Sequence, residues 1–566
     1  MFFKLKEKLP PSLGLILFLC CLGVLIVSLA LLAGVPPVDR DALTHHLYVP
    51  KLYLALGGIV EIPSIPFSYF PMNLDLLYMI SLFFGNDIVP KYIHFSFGLA
   101  TAFLVYVHLA KRIDIKAGIL GALLFLSIPV IAKLSITVYV DLGLIFFSTA
   151  SLLALLHWMR TDFALRYLLV AGACCGLAAG CKYNGLITIF VLSGLVPIIY
   201  QRSVPAHKRS APKALAWALF FVVATLLTFS PWFIRNITWT GNPIYPLYNS
   251  LFQEKSLGAV EHSIGEGKST IQQEKKIPGA KSNIFLLRKQ LYGEDFIQIL
   301  LLPIRYFYEG RDNDPRYFDG KLNPFLLIFP LLPFLFRNGY GQVRRRENYI
   351  LLAFALLFFL FSFFSETQRV RYVSPILPAL VILSIQGFYL ILGYLKTSGL
   401  RVLHYGAMGL VVTMYLYNFQ YVGSLFAEVQ PLGYLSGKVT REQYISARRP
   451  EYPLVRYLND HVEEDAVVQA VFLGKRGYYF DRKVRFDTLS GADSITTMAR
   501  TSYDAKGIAQ GLRKNKVTHL FIRYDMFDQW IKVRLSPDEL ARLETFFHNY
   551  TTLVSERNNH GLFRLL

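Results

Sequence analysis

Charged residues are scarce in this 566-residue chain: Asp, Glu, Lys and Arg make up 17% of it, whereas hydrophobic residues make up 54%. The chain is therefore poorer in charge and richer in apolar side chains than an average soluble protein. Apolar runs recur through the first 423 positions. At roughly 17 to 22 residues, each run is long enough to cross a hydrocarbon core of about 30 Å as a helix. The sequence predicts a polytopic membrane protein.

Cysteine is also rare, and its positions indicate no disulfide or metal framework. Each cysteine lies in an apolar run or at its end, where a small hydrophobic side chain is the simplest explanation. The five residues are Cys20, Cys21, Cys174, Cys175 and Cys181.

The formal net charge of +20 would suit a nucleic-acid partner, but the distribution of the basic residues argues against one. They concentrate in alternate connections between the apolar runs, which the positive-inside rule assigns to the cytoplasm. The clusters are Lys4, Lys6 and Lys8; Lys111, Arg112 and Lys116; Arg160 and Arg166; Arg202, Lys208, Arg209 and Lys213; Arg337 and Arg344 to Arg346; and Lys396 and Arg401.

Eleven membrane-spanning helices are predicted from these runs and this sidedness. An odd number of spans from a cytoplasmic N-terminus, with the first run kept as an anchor, places the C-terminus outside. The predicted spans lie near 13–34, 90–110, 117–134, 138–158, 166–181, 184–200, 214–233, 323–337, 348–364, 373–395 and 402–422.

The composition changes near residue 424, where charged residues become frequent. AKGIAQGLRKNK has a helical pattern and is followed by a strand-like THLFIRY; SPDELARLETFFHNY then opens on a serine N-cap and precedes short strands near TTLVS and LFRLL. We predict two domains: a transmembrane domain over 1–423 and a small extracytoplasmic α/β domain over 424–566, in which no catalytic motif stands out.

The stretch VPPVDRDALTHHLYVPKLYL, residues 35–54, follows the first apolar run directly. The amphipathic, aromatic-rich segments HHLYVPKLYLALG and MNLDLLYMISLFFG are too short to span and suit helices lying in the membrane interface. They would form a floor around Asp41, on the outer face. An aspartate at the start of a helix can also simply cap exposed N–H groups, and this alternative stays open.

Over roughly residues 10 to 425 the chain resembles the polyprenyl-phosphate-sugar glycosyltransferases of the GT-C superfamily, specifically protein O-mannosyltransferases and lipid A aminoarabinose transferases. The similar features occur in the same order along the chain. They are the first-loop Asp in DALTHHLYVPKLYL, the interfacial helices, VYVDLGLIFF, CGLAAGCKYNGL, PWFIRNITWTGNPIYPLYNSLF and QRVRYVSPILP. The resemblance implies an α-helical GT-C fold in the inner membrane of the cell envelope.

The resemblance also implies that Asp41 is the catalytic base, with Asp39 in reserve. A carboxylate at the interface would take the proton of an acceptor hydroxyl or amine, which gives inversion at the anomeric carbon. In one respect the chain departs from the family pattern, because Ala42 stands where Glu often follows the aspartate. The candidates for a second acidic group are Asp141, Glu61 and Asp75.

The leaving phosphate requires cations, and four basic residues lie at the outer ends of predicted spans. Such positions are costly unless the charge is functional or snorkels to the interface. Of Lys182, Arg235, Arg369 and Arg371 we favour Lys182, Arg235 and Arg371 as phosphate ligands. The remaining predicted substrate-binding residues are Tyr372, Asp141 and His46.

His45 and His46 do not indicate a metal, since adjacent residues on a helix point about 100° apart. No resident cofactor is predicted with certainty; a divalent ion is possible, and the donor substrate is a polyprenyl-phosphate sugar. The expected partners are membrane lipid and a glycan, lipid or protein acceptor. A lipid or polysaccharide transporter or flippase is the alternative, but it should show mid-span charges and an internal repeat, and we find neither.

Overall fold

The computed structural model describes residues 13–253, 284–335, 341–365, 368–486 and 493–566. Apolar runs become helices because a helix satisfies its backbone hydrogen bonds internally. The helices up to residue 253 are α1 (Leu13–Ala33), α2 (Tyr48–Ala55), α3 (Asn73–Phe83), α4 (Val89–Arg112), α5 (Ile115–Ser127), α6 (Pro129–Ser135), α7 (Asp141–Arg160), α8 (Leu165–Cys181), α9 (Gly185–Ser203), α10 (Ala211–Thr240) and α11 (Asn249–Gln253).

The later part of the membrane domain contains shorter helices as well as long ones. They are α12 (Ile284–Tyr292), α13 (Phe296–Leu300), α14 (Leu302–Tyr308), α15 (Leu332–Leu335), α16 (Gln342–Ser365), α17 (Val370–Val373), α18 (Leu377–Thr397) and α19 (Arg401–Val429). Helix α19 continues past the domain boundary that we predict at 423.

Seven of the described helical segments are long and apolar enough to cross a membrane, and the bent pair of α5 and α6 would make an eighth. The membrane fold is confirmed, but the count of eleven spans is not. The predicted third span bends by 72° between α5 and α6, where Pro129 begins the second helix. The predicted eighth span, 323–337, consists of short helical pieces up to residue 335, and its last two residues lie outside the described ranges. Helix α8 has only 17 residues.

Small residues allow α8 to approach α10 closely. A Cβ atom added to Gly172 would lie 2.6 Å from the carbonyl oxygen of Phe221, and one added to Gly176 would overlap Thr225 and Thr228. Glycines four residues apart on one helix face are a common device for close helix packing in membranes. This packing fixes the end of α8, where Lys182 follows.

At one end of the bundle, a buried glutamate joins three long helices. Glu347 of α16 accepts hydrogen bonds from Arg112 of α4 at 3.1 and 3.2 Å and from Arg160 of α7 at 2.7 Å. Its side chain is 1% exposed. We call this group the arginine–glutamate end; it lies where the sequence predicts basic cytoplasmic loops.

The C-terminal domain contains a five-stranded sheet of order β2-β1-β3-β5-β4. β1 is parallel to β2 and β3, whereas β5 is antiparallel to β3 and β4. The strands are β1 (Val467–Val471), β2 (Lys483–Phe486), β3 (His519–Arg523), β4 (Thr551–Arg557) and β5 (His560–Leu565). The helices are α20 (Pro431–Leu435), α21 (Arg441–Ser446), α22 (Tyr452–His461), α23 (Asp493–Thr501), α24 (Ala505–Lys514), α25 (Tyr524–Arg534) and α26 (Pro537–Tyr550).

The C-terminal domain packs directly on the first loop, residues 34–88. The ammonium of Lys51 donates to the carbonyls of Tyr478 (2.9 Å) and Phe480 (2.8 Å) and to Asp481 (2.8 Å). The Tyr479 hydroxyl donates to the carbonyl of Pro37 at 2.7 Å. The two segments predicted to share one side of the membrane are therefore in contact.

Candidate active site

Asp41 stands at the start of a short π-helical turn, Ala42–His46, that leads into α2. It occupies the N-cap position but makes no side-chain capping hydrogen bond. Its carboxylate turns instead to Arg371, whose Nη2 lies 2.8 Å from Oδ2 of Asp41. The structure therefore does not give Asp41 a merely capping role.

The charge of Asp41 is set by opposing effects. Burial favours the neutral acid and raises the pKa of Asp41. The Arg371 guanidinium, with smaller contributions from His45 and His46, lowers this pKa, and together these charges outweigh the effect of burial. The net result is a pKa well below the ordinary value. Asp41 is therefore an ionised carboxylate, and Arg371 restrains its basicity.

A second ion pair lies beside the first. Lys182, which follows α8, places its ammonium 2.8 Å from Oδ1 of Asp141, the first residue of α7. The Lys182 ammonium also lies 4.6 Å from the ring centroid of Tyr372, and the Arg371 guanidinium lies 5.3 Å from the same centroid. Tyr372 thus joins the two cations into one group through cation–π contacts. We call Asp41, Arg371, Tyr372, Lys182 and Asp141 the site cluster.

Two polar atoms of the site cluster are incompletely used. Nε of Arg371 and Oδ2 of Asp141 are buried, and neither has a hydrogen-bond partner among the described residues. A buried polar atom without a partner costs free energy, which makes such atoms candidates for contact with a ligand. Both belong to residues that the sequence predicts to bind substrate.

His46 lies next to the site cluster and forms a pair with Asp75 of α3. Nδ1 of His46 is 2.7 Å from Oδ1 of Asp75, and both side chains are buried. Burial raises the pKa of Asp75 to about 7 and lowers the pKa of His46 to about 4. At a pH between these values the pair holds one proton and no net charge. The His45 ring lies 4.0 Å from the His46 ring and also stacks on Phe67, with ring centroids 4.3 Å apart.

Arg235 does not join the site cluster. Its Nη2 donates to the backbone carbonyls of Tyr69 (2.6 Å) and Phe70 (3.0 Å), and its guanidinium lies over the rings of Trp232 and Trp239. These contacts fix part of the first loop against α10. These contacts give Arg235 a positioning role; its Nη1 is buried without a hydrogen-bond partner among the described residues, and its role as a phosphate ligand stays a prediction.

Three more charged residues that the sequence suggests for the site interact with partners outside the site cluster. Glu61 is exposed and accepts a hydrogen bond from the hydroxyl of Tyr69. Arg369 pairs with Asp319 at 3.6 Å. Asp39 interacts electrostatically with the ammonium groups of Lys91 and Lys133.

Sequence reasoning missed two residues that shape the site. The Tyr139 ring lies 4.8 Å from the Arg371 guanidinium and 5.9 Å from the His46 ring. His94 of α4 accepts a hydrogen bond at 2.9 Å from the backbone N–H of Leu142, which follows Asp141. The position of Tyr139, two residues before Asp141, was a signal for its role; nothing local in the sequence marks His94.

The described residues contain no group of three or more His, Cys, Asp or Glu side chains that could hold a metal ion. The divalent ion that the sequence leaves open therefore has no ligand set in this part of the chain. We assign no residue to a metal.

Comparison with known proteins places this geometry in context. Residues 64–249 match the sequence model of the family described as dolichyl-phosphate-mannose-protein mannosyltransferase. A comparison with curated protein sequences gave no match. Among solved structures, the chain is similar to ArnT from Cupriavidus metallidurans in the apo state, with 14% identity, a TM-score of 0.54 and coverage of 97% of both chains.

The same ArnT bound to undecaprenyl phosphate matches with 16% identity, a TM-score of 0.55 and coverage of 97% of both chains. The oligosaccharyltransferase of Archaeoglobus fulgidus, tethered to an acceptor peptide, matches with 12% identity and a TM-score of 0.53, over 95% of this chain and 74% of that one. The fold is similar to that of ArnT and of this oligosaccharyltransferase. The resemblance predicted from the sequence is confirmed at the level of the fold.

Proposed function

We propose that this protein transfers a sugar from a polyprenyl-phosphate-linked donor to an extracytoplasmic acceptor, with inversion at the anomeric carbon. The observation that carries the proposal is the site cluster, in which two cations and two carboxylates meet beside a shared tyrosine. The family model names a dolichyl-phosphate-linked sugar, and one similar structure contains undecaprenyl phosphate. Both support a lipid-phosphate donor here.

Asp41 acts as the base in this proposal. The acceptor hydroxyl or amine attacks the anomeric carbon, the bond from that carbon to the phosphate oxygen breaks, and the phosphate leaves with the bonding electron pair. Asp41 takes the proton from the attacking atom. A displacement from the face opposite the phosphate inverts the configuration and needs no covalent intermediate.

Arg371 and Lys182 hold the donor phosphate. Each forms its ion pair with a carboxylate through a single nitrogen, so its charge can also serve a phosphate oxygen, and the buried Nε of Arg371 is a donor without a partner among the described residues. The cations stabilise the negative charge that grows on the leaving oxygen. When the phosphate binds the Arg371 guanidinium, the positive charge of Arg371 is partly neutralised. It then lowers the pKa of Asp41 less, and Asp41 becomes a stronger base.

The remaining site residues position these groups. Tyr372 and Tyr139 flank the Arg371 guanidinium, and Asp141 orients Lys182. The His46–Asp75 pair supports the turn that follows Asp41. We propose His46 as a lining group on the acceptor side, in keeping with its predicted role in substrate binding.

The proposed orientation places the site cluster and the C-terminal domain outside the cytoplasm, in the inner membrane. The arginine–glutamate end then faces the cytoplasm, in agreement with the positive-inside rule. Single cysteines at Ser64 and Lys514, in a cysteine-free background, should both react with an impermeant thiol reagent added outside. A cysteine at His207 should not, and labelling of only one of the first two would contradict the shared side.

The activity test uses the purified full chain in lipid nanodiscs with a radiolabelled polyprenyl-phosphate mannose and, in parallel, other polyprenyl-phosphate sugars. We expect the protein to release the free lipid phosphate in the presence of an acceptor, whereas an Asp41→Asn variant should not. In sealed vesicles, a transporter would move the intact donor across the bilayer without breaking it. Movement of intact donor without cleavage would overturn the proposal.

A further inference from the structure

A cavity of about 360 Å³ lies in the C-terminal domain, apart from the site cluster. Its lining includes Arg449, Glu451, Arg476, Arg523 and His560. Its volume falls within the range usual for small-molecule pockets. The lining residues come from stretches of the chain that are well separated in sequence, so the cavity forms only when the domain folds.

The sheet topology places this cavity at a favourable position for ligand binding. Arg476 lies beyond the carboxyl end of β1, and Arg523 is the last residue of the neighbouring parallel strand β3. The chain leaves β1 towards β2 on one flank and leaves β3 towards α25 on the other. Such a reversal opens a crevice at the strand ends, where open α/β sheets bind their ligands.

Arginine side chains dominate the lining of the crevice. Three guanidinium groups share it with a single carboxylate, Glu451, which pairs with Nε of Arg476 at 2.6 Å. Arg523 is also paired outside the lining, with both oxygens of Asp525 at 2.8 Å. Burial and the neighbouring charge of Arg476 lower the pKa of Arg449, and Glu451 and Asp39 act in the opposite sense. Three cations thus share the lining with one carboxylate, which leaves it positively charged.

Arg449 also joins the crevice to the loop that carries the catalytic base. Its Nε donates to the carbonyl of Val38 at 2.6 Å. Val38 precedes Asp41 by three residues, and consecutive Cα atoms are 3.8 Å apart, so their Cα atoms are within about 11 Å of each other. The crevice is therefore linked, through Arg449, to the loop that carries Asp41.

We propose that this crevice binds an oxyanionic group, phosphate or carboxylate, carried by the acceptor. The inference rests on the proposed function and names the acceptor class that the transmembrane part leaves open. Guanidinium groups match oxyanions because they donate two parallel hydrogen bonds from a rigid plane. The donor phosphate has its own cations, Lys182 and Arg371, in the site cluster, so the crevice is available to the second substrate.

Binding is tested first, on the full chain in phosphatidylcholine nanodiscs. Inorganic phosphate, glucose 1-phosphate and glucuronate serve as probes in calorimetric titrations, and Lys182→Met with Arg371→Met removes binding at the site cluster. In that background we expect Arg523→Gln to weaken probe binding about tenfold or more. Arg513→Gln, an exposed arginine of the same domain, is the control and should change nothing. Equal affinity in Arg523→Gln and the control would overturn the proposal.

A second variant guards against misfolding. Arg476→Gln alone would leave Glu451 without its partner, so it is combined with Glu451→Gln. The double variant, checked for an unchanged thermal midpoint, should also lose probe affinity, and unchanged affinity would count against the crevice. Adding phosphatidylglycerol to the nanodiscs tests a lipid source: if the anionic lipid displaces the soluble probes, the crevice binds a lipid headgroup and not an acceptor, and the proposal fails.

Kinetics separate the inference from the function on which it rests. With an anionic acceptor, Arg523→Gln should raise the acceptor KM about tenfold and leave the donor KM unchanged. An active wild-type enzyme with the same acceptor KM in Arg523→Gln would remove the inference and keep the transferase. A crevice that binds the probes in a chain that cleaves no donor would refute the transferase and with it the acceptor role of the crevice.

Discussion

The two ends of the membrane domain both contain buried ion pairs, but they use their charges differently. At the arginine–glutamate end, both oxygens of Glu347 accept hydrogen bonds from arginines on other helices. In the site cluster, each carboxylate meets one cation, and Oδ2 of Asp141 and Nε of Arg371 have no partner among the described residues. The carboxylate of the first arrangement is saturated, and the Arg160 Nε that makes no hydrogen bond still lies in ion-pair contact with Glu347; the second arrangement retains an unpartnered carboxylate oxygen and an unpartnered guanidinium N–H for a ligand.

This difference separates a structural ion cluster from a functional one. A saturated buried cluster holds helices together, and breaking it leaves uncompensated charge. An unsaturated cluster costs stability, and its retention needs another explanation, such as a role in binding or catalysis. Composition alone does not distinguish the two ends, since both combine basic residues with a few acids.

The largest expected effect is on the chemical step at the unsaturated end. Asp41→Asn should lower turnover by about a hundredfold to ten-thousandfold, because an amide cannot take the acceptor proton. Donor binding, measured by equilibrium titration, should change little. Asp39→Asn is the matched control; a larger loss of turnover in that variant than in Asp41→Asn would move the base to Asp39.

At the saturated end the effect should be on stability. Glu347→Ala should lower the free energy of unfolding by about 3 kcal/mol, the low end for a fully buried pair, because Arg112 and Arg160 are partly exposed. The thermal midpoint of the purified protein in detergent measures this change, and turnover per folded molecule should be preserved. An exposed-lysine variant, Lys208→Gln, provides the baseline. A stable but inactive Glu347→Ala protein would show that Glu347 serves activity and not stability, which would contradict the proposed difference between the two ends.

The proposed phosphate ligands should affect donor affinity. Arg371→Met and Lys182→Met should each weaken donor binding and slow single-turnover transfer by about tenfold to a hundredfold, the value of one charge-assisted contact. Combining Lys182→Met with Asp141→Asn avoids leaving a buried unpaired carboxylate. Arg369→Met removes a nearby cation that pairs with Asp319 and should bind donor normally. Unchanged affinity in the folded variants would refute the phosphate site.

Arg235 sharpens the comparison, since it is a half-buried cation whose guanidinium contacts backbone carbonyls of the first loop instead of a carboxylate. Arg235→Met removes the hydrogen bonds to Tyr69 and Phe70 and should lower the thermal midpoint. We expect donor affinity to fall less than about threefold in the folded protein, because no phosphate contact is lost. A loss as large as that of Arg371→Met would return Arg235 to the phosphate site.

The smallest expected effect concerns the proton shared by His46 and Asp75. The raised pKa of Asp75 contributes stability that is present at acidic pH and is lost as the pH rises towards about 7. The lowered pKa of His46 acts in the opposite sense, and its contribution is lost as the pH falls from about 6.5 towards about 4. Relative to wild type, Asp75→Asn should therefore lose more stability on acidification, and His46→Gln less.

Thermal midpoints measured between about pH 4 and 6.5 test this opposition. Asp41 and His45 face the same pair and are present in all three proteins, so only differences from wild type are compared. Parallel pH profiles for both variants would show that the pair does not share a proton.

Much of the fold could be predicted because lipid imposes long apolar helices. The capping box of Ser536 and Glu539 likewise marks the start of α26 in the sequence. The third and eighth spans were predicted as unbroken helices, whereas the structure has breaks in both, and prolines account for them. Pro129 begins α6 after the bend, and Pro330 and Pro333 interrupt 324–335. The order of the sheet could not be predicted, since strand pairing depends on contacts distant in sequence.

The sequence suggests several members of the candidate site but none of their pairings. Asp41 and Arg371 are 330 residues apart, and no local pattern shows that they meet. Lys182 and Arg235 both lie near the ends of helices, so the sequence treats them alike. Only the direction of each side chain separates them: one faces Asp141, and the other faces the carbonyls of the first loop.

The contact of Lys51 with the C-terminal domain has a consequence for the protein during its synthesis. The residue that Lys51 pairs with, Asp481, is 430 positions further along the chain. At about 5 to 20 residues per second, a ribosome needs roughly 20 to 90 seconds to reach it. During that interval the loop that carries Asp41 has no contact with the C-terminal domain. A nascent or prematurely terminated chain would thus insert into the membrane with the proposed transfer site still incomplete.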